Sequence, residues 1–285
     1  MGTQKHEQPP VGPAAEATEA MPNLGPWEPL DSLASEFKFN ETFGDKVRRL
    51  QGQGYSGWRR VRGDGNCFYR AVGFGLLEAV TAAPGARREA WAGELWKAFE
   101  ATHVRQDNGQ SSAFAELQAN LERLGSTGCW GDAGTSEDAL TVLHESFRDS
   151  LAPADAALLQ CLRQLAADGL VANAGDAEAS GAGLSYQDIV AAMGEHGSVE
   201  EFCAQEVLCD GVEAQHIVMN ALSSALDVNL RIMMLDRSSS SEEVPIIDFG
   251  PRSGDGEDQQ RPMVHVQFRP GHYDLLYLNG QMHAP

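Results

Sequence analysis

Phe68, Val72, Leu76 and Val80 recur every four positions, with Ala71 and Ala79 beside them. That spacing gathers them on one face and predicts a helix over 67–80. Gly65 and Asn66 stand where its cap belongs, and Pro84 with Gly85 supplies the stop. Upstream, apolar positions begin at Trp27, Leu30, Leu33, Phe37 and Phe39, where Asp31 or Ser32 caps a short helix. A further helical piece over 43–50 is broken by Gly52 and Gly54, and 55–61 reads as extended. Helical patterning returns over 86–124 around Trp91, Leu95, Phe99, Phe114, Leu117 and Leu121. A Gly/Ser/Thr stretch at 125–136 separates it from another helical segment at 137–147. Leu158, Leu159, Leu162 and Leu165 predict helix, 172–183 a loop of small residues, and 186–193, 199–207 and 217–226 helix again.

The last third changes period. Val228, Leu230, Ile232 and Met234 alternate, as do Val264, Val266 and Phe268, and then the run 272–278. Alternation predicts strands, and Arg269-Pro270-Gly271 between the last two predicts a hairpin. Polar loops are expected at 238–243 and 251–262. The pattern gives an α+β domain, with helices first and a small, mostly antiparallel sheet last. Residues 1–26, rich in Pro, Ala and Glu, bury too little apolar surface to offset their ordering entropy and are expected to form a disordered tail. The domain then runs over 27–285.

Net charge is −20 over 285 residues, which argues against nucleic acid as a partner. No apolar stretch approaches the ~20 residues of a membrane helix, and the N-terminus has no apolar signal core. Five cysteines at irregular spacing (67, 129, 161, 203 and 209) do not form a disulfide framework. They point to a reducing compartment, cytoplasm or nucleus. Cys203, Cys209 and His216 fit no usual zinc spacing, and the acidic run 255–258 lacks the alternating ligands of a calcium loop, so no metal is expected.

Cys67 falls at the first turn of the predicted helix, behind Gly63-Asp64-Gly65-Asn66. A helix N-terminus favours an anion, and the attacking form of a cysteine is its thiolate. The N–H groups of Gly65, Asn66 and Cys67 can converge on one point, as an oxyanion hole requires. A free cysteine is more often a small packing group. This one sits off the centre of the apolar stripe and has a matched partner segment. In that segment His272 and Asp274 lie at i and i+2 of a strand, on one face and ~7 Å apart at Cα. A carboxylate there can fix one ring nitrogen and leave the other for the thiol.

The string Asp64-Gly65-Asn66-Cys67-Phe68-Tyr69-Arg70-Ala71 and the string Arg269-Pro270-Gly271-His272-Tyr273-Asp274-Leu275-Leu276-Tyr277 together resemble the two boxes of the ovarian-tumour class of deubiquitinases, most closely the otubains. Residues 201–207, 216–217, 221–226 and 234–237 are similar to that family's central region, while 81–185 matches it poorly. The resemblance implies a papain-like cysteine peptidase core acting at the C-terminus of ubiquitin. By position it implies Cys67 as nucleophile, His272 as general base, Asp274 as its orienting group, and Asp64 as a catalytic residue shaping the oxyanion hole. It implies no cofactor, and ubiquitin, polyubiquitin chains and ubiquitin-conjugating enzymes as partners. Two other readings stay open: a non-catalytic regulator of conjugating enzymes, and a protease for a ubiquitin-like modifier.

Overall fold

The computed structural model describes residues 21–105, 112–125, 136–236, 244–250, 261–281 and 283. Six strands, β1 (Leu24–Pro29), β2 (Tyr55–Val61), β3 (Asn229–Met234), β4 (Ile246–Phe249), β5 (Met263–Arg269) and β6 (His272–Leu278), form one sheet in the order β1-β2-β6-β5-β3-β4. Every neighbouring pair is antiparallel except β3 and β5. The helices are α1 (Leu30–Glu36), α2 (Glu41–Gly52), α3 (Cys67–Ala82), α4 (Gly85–Arg105), α5 (Ser112–Gly125), α6 (Ser136–Arg148), α7 (Pro153–Ala172), α8 (Tyr186–Met193), α9 (Val199–Phe202) and α10 (His216–Leu226). A π-helical turn over Cys203–Val207 follows α9 directly.

The architecture is α+β, as the patterning predicts, but the sheet is not confined to the end of the chain. β1 and β2 precede the central helix and add to the sheet beside the last strand. Residues 24–26, expected to belong to a tail, are therefore part of β1. Gly25, Pro26 and Pro29 read as breakers, yet an edge strand tolerates proline because one row of its backbone groups needs no partner. Backbone bonds Asn23 N–H to Arg148 O (2.8 Å) and Arg62 N–H to Asn23 O (2.9 Å) fasten its start. The expected helical span 86–124 is two helices, and the span 199–207 divides into α9 and the π turn. Residues 1–20, most of the 125–136 stretch, and the loops at 238–243 and 251–260 lie outside the described residues.

Apolar layers cover both faces of the sheet. On one face Tyr273, Leu275 and Tyr277 of β6 join the core around α3, which is buried at fourteen of its sixteen residues. On the other, Trp58 and Leu276 pack with Leu30 and Leu33 of α1 and Phe43, Val47 and Leu50 of α2. β6 is thus buried on both sides, and its first residues open at the N-terminal end of α3. The edge strand rests on one close approach. Trp27 lies over Gly57, where a Cβ would come within 2.2 Å of the indole, and its ring stacks on His283 at 4.7 Å. Gly57→Ala is expected to displace Trp27 and loosen β1, costing about 1–3 kcal/mol. A lowered urea midpoint at unchanged m-value checks this.

Candidate active site

The chain leaves β2 at Val61, turns through residues 62–66 and enters α3 at Cys67. The turn requires glycine at position 65: its φ is +80°, and a Cβ there would lie 1.8 Å from the carbonyl oxygen of Gly211. Asn66 is the residue before the helix, but its side chain does not cap α3. Its Oδ1 instead accepts from the Gly211 N–H (3.2 Å) and from Arg163 Nη2 (2.6 Å). The Asn66 N–H donates to Asp64 Oδ1 at 3.0 Å. It is therefore committed, and the expected trio of oxyanion donors reduces to Gly65 and Cys67, whose N–H groups meet no acceptor among the described residues.

The β5–β6 hairpin brings His272 to this turn from two hundred residues away. The Cys67 sulfur lies near enough to the ring to act on its charge and raise its pKa. His272 Nε2 bonds Asp274 Oδ1 at 2.8 Å, which leaves Nδ1 on the side of Gly63, where a Cβ would sit 3.3 Å from it. Asp274 is completely buried and accepts four hydrogen bonds. Oδ1 also takes the Val61 N–H (2.9 Å), where β2 parts from β6, and Oδ2 takes Gln267 Nε2 (2.7 Å) and Arg269 Nη2. The Arg269 guanidinium lies 5.2 Å from the Phe37 ring centroid, just beyond α1. Burial alone would lower the His272 pKa. The Asp274 hydrogen bond and the neighbouring sulfur outweigh it and raise the value to about 9. Burial likewise works against the Asp274 carboxylate, but His272, Arg269 and the Val61 amide hold its pKa below the ordinary value.

Asp64, expected to be catalytic, bonds neither Cys67 nor His272. Its two oxygens are held by Arg70 Nη1 (2.9 Å) and Nη2 (3.0 Å), and Arg70 Nε in turn bonds Asp155 of α7 (2.9 Å). Burial would raise the Asp64 pKa, and the Arg70 bonds bring it below the usual carboxylate range. Asp64 thus buttresses the turn through Arg70 and the Asn66 amide. Asp64→Asn is expected to cost about 2 kcal/mol of stability, the value of a hydrogen bond to a charged group. Because Asp64 does not touch the ring, the alkaline limb of the pH–rate profile should stay in place, and parallel melting and pH–rate measurements check both parts.

Cys67, His272 and Asp274 come together as expected, Asp64 supports the turn, and Gly65 and Cys67 supply the available amides. Several contributors carried no signal of their own. Arg70 and Arg269 lie inside the two quoted strings, three residues from Cys67 and His272, and their charge was the one local cue. Asp155, Arg163 and Gln267 reach the site only through packing.

The family model described as Peptidase C65 Otubain matches residues 16–278. The OVARIAN TUMOR DOMAIN-containing deubiquitinating enzyme 1 of Arabidopsis thaliana is 28% identical over 92% of this chain and 83% of its own. Ubiquitin thioesterase OTUB1 of Homo sapiens is 27% identical over 87% of this chain and 80% of its own. Among solved structures, a ceOTUB1 ubiquitin aldehyde UBC13~Ub complex aligns over 93% of this chain and 97% of that one, with TM-score 0.71 and 23% identity. That last likeness concerns the fold.

Proposed function

Because the chain belongs to the peptidase C65 otubain family, we propose that it is a cysteine-type deubiquitinase that hydrolyses the bond at the C-terminus of ubiquitin. The observation that carries this reading is the His272 ring, bonded to the buried Asp274 carboxylate and brought beside Cys67 at the mouth of α3. The names of the relatives support ubiquitin as the substrate protein. Solved complexes of similar fold hold ubiquitin aldehyde with UBC13~Ub or UBCH5B~Ub, which supports ubiquitin and ubiquitin-conjugating enzymes as partners. The four described cysteines are free, which fits work in a reducing compartment such as the cytosol or nucleus.

The chemistry follows from the placement. The Cys67 thiolate attacks the carbonyl carbon of the terminal glycine, and the Gly65 and Cys67 amides receive the developing oxyanion. The His272 imidazolium gives its proton to the departing lysine amine, which leaves a thioester on Cys67. Water then loses a proton to the same ring as it attacks the thioester, and the ubiquitin carboxylate and the thiol are released. Asp274 keeps the ring oriented throughout and stabilises its charged form. Cys67 is only 2% exposed. A substrate must therefore arrive as a narrow extended chain, and a tail ending in two glycines suits such a passage.

Ubiquitin bearing a C-terminal fluorogenic amide tests the reading, with matched conjugates of ubiquitin-like modifiers alongside. Release from the ubiquitin conjugate at rates well above the others is expected. Release from a modifier conjugate alone would move the assignment to that modifier. No release from any of them would favour a non-catalytic binder. A diubiquitin panel would then give the linkage preference.

A further inference from the structure

Between the π turn and α10 the chain runs through residues 208–215 without regular structure, and it touches both halves of the active site. Gly211 (φ +74°) presses its carbonyl on Gly65, while a Cβ on Gly271 would come 3.7 Å from Glu213 Oε1 at the turn before His272. Two side chains hold this loop: Asn66, whose Oδ1 accepts from the Gly211 N–H (3.2 Å), and Arg163. Arg163 of α7 donates from Nη1 to Val207 O (2.8 Å) and from Nη2 to Val212 O (2.9 Å) and Asn66 Oδ1 (2.6 Å). Its guanidinium lies 4.1 Å from the Tyr69 ring centroid and the residue is 3% exposed.

This is a poor arrangement for stability. The buried cation bonds neutral oxygens and no carboxylate among the described residues, and its Nε has no acceptor. Burial pushes its pKa down, and the nearby Tyr69, Asp210 and Cys209 only partly oppose this. A well-packed apolar residue of similar volume is often as stabilising as a buried charge. What the guanidinium does provide is geometry, because both ends of the 207–212 segment and the residue before Cys67 meet on one planar group with fixed donor directions.

Building on the deubiquitinase reading, we infer that Arg163, through Asn66 and the 207–212 loop, is the positioning residue that sets the Gly65–Cys67 backbone as an oxyanion hole. It touches neither Cys67 Sγ nor the His272 ring. Its loss should therefore spare thiol reactivity and damage steps that develop an oxyanion.

The test compares the full-length native chain, Arg163→Lys and Asn66→Ala, after thermal melting has established which of them fold. Asn66→Ala removes the shared acceptor without a misfit at α7 and carries the test where Arg163→Lys does not fold. Two rates are read for each. Iodoacetamide alkylates Cys67 by forming an S–C bond as iodide leaves, with no oxyanion. Turnover of the fluorogenic ubiquitin amide requires one. Alkylation within about twofold of native, together with turnover lowered about 100-fold, is expected, the size of losing an oxyanion donor. Turnover within about threefold of native in a folded variant, or alkylation falling in step with turnover, overturns the inference. A native chain that alkylates but does not turn over ubiquitin overturns the deubiquitinase reading and this inference with it.

Discussion

Cys67→Ala is expected to lower turnover of a ubiquitin amide by about 10⁵-fold or more while leaving ubiquitin binding near native strength. Removing the nucleophile of a hydrolase triad costs about that much, because the residual rate comes from binding and the oxyanion site alone. The fold should tolerate the change. Cys67 opens α3 at the border of the core, and its replacement by alanine removes one sulfur atom from a residue whose backbone is set by Gly65, Asn66 and Asp64. Steady-state kinetics and a ubiquitin titration on the same preparation check the two halves. Loss of binding in parallel with turnover would instead make Cys67 a packing residue.

Asp274→Asn is the second large effect. Asp274 accepts from His272, Val61 N–H, Gln267 and Arg269 at once, and it is buried. An amide brings a donor into a site made of donors and removes the charge that stabilises the imidazolium. About 10³–10⁴-fold loss of kcat is expected, with KM within about threefold. It also leaves the largely buried Arg269 without its carboxylate, which costs about 3 kcal/mol of stability. The pH profile gives a separate signature. His272 is raised to about 9, so the proton needed by the leaving amine is present below that value and lost as pH rises through it. In the native protein the alkaline limb should therefore lie near pH 9. In Asp274→Asn it should move toward the ordinary histidine value of about 6.5. The same shift has a stability consequence. A pKa raised on folding contributes stability that is complete below about pH 6.5 and disappears as pH climbs to about 9. Asp274→Asn should flatten that part of the stability–pH curve. An unmoved alkaline limb would mean that another group orients the ring.

Local periodicity carried much of this fold. The four-residue recurrence of Phe68, Val72, Leu76 and Val80 marks α3, and the alternating runs at 264–268 and 272–278 mark the hairpin. One thiol at a helix entrance and one His/Asp pair on a strand face make the grouping of Cys67, His272 and Asp274 legible in the sequence. The misses have physical causes. β1 was hidden because Gly25, Pro26 and Pro29 oppose strand propensity, and its pairing with β2 and the seat of Trp27 on Gly57 override it. β4 is only four residues at the far edge of the sheet, too short for a period to show. The place of Asp64 in the turn is legible beside Cys67; what is not legible is that it acts through Arg70, one helical turn into α3, which binds its carboxylate. The Asn66 amide looked available until that captured carboxylate accepted it. Arg163 is one arginine among many, and nothing local sets it apart; its role exists only because α7 passes beneath the 207–212 loop.

The central claim is that the thiol at 67, activated by the ring at 272, attacks the C-terminal carbonyl of ubiquitin. The most direct measurement is incubation of the native chain, under reducing conditions, with ubiquitin carrying a C-terminal electrophile, followed by peptide mass mapping. A single adduct on Cys67, lost in Cys67→Ala and strongly slowed in His272→Ala, is the expected result. A folded chain that forms no adduct, or forms it on any of the other four cysteines, would contradict the account.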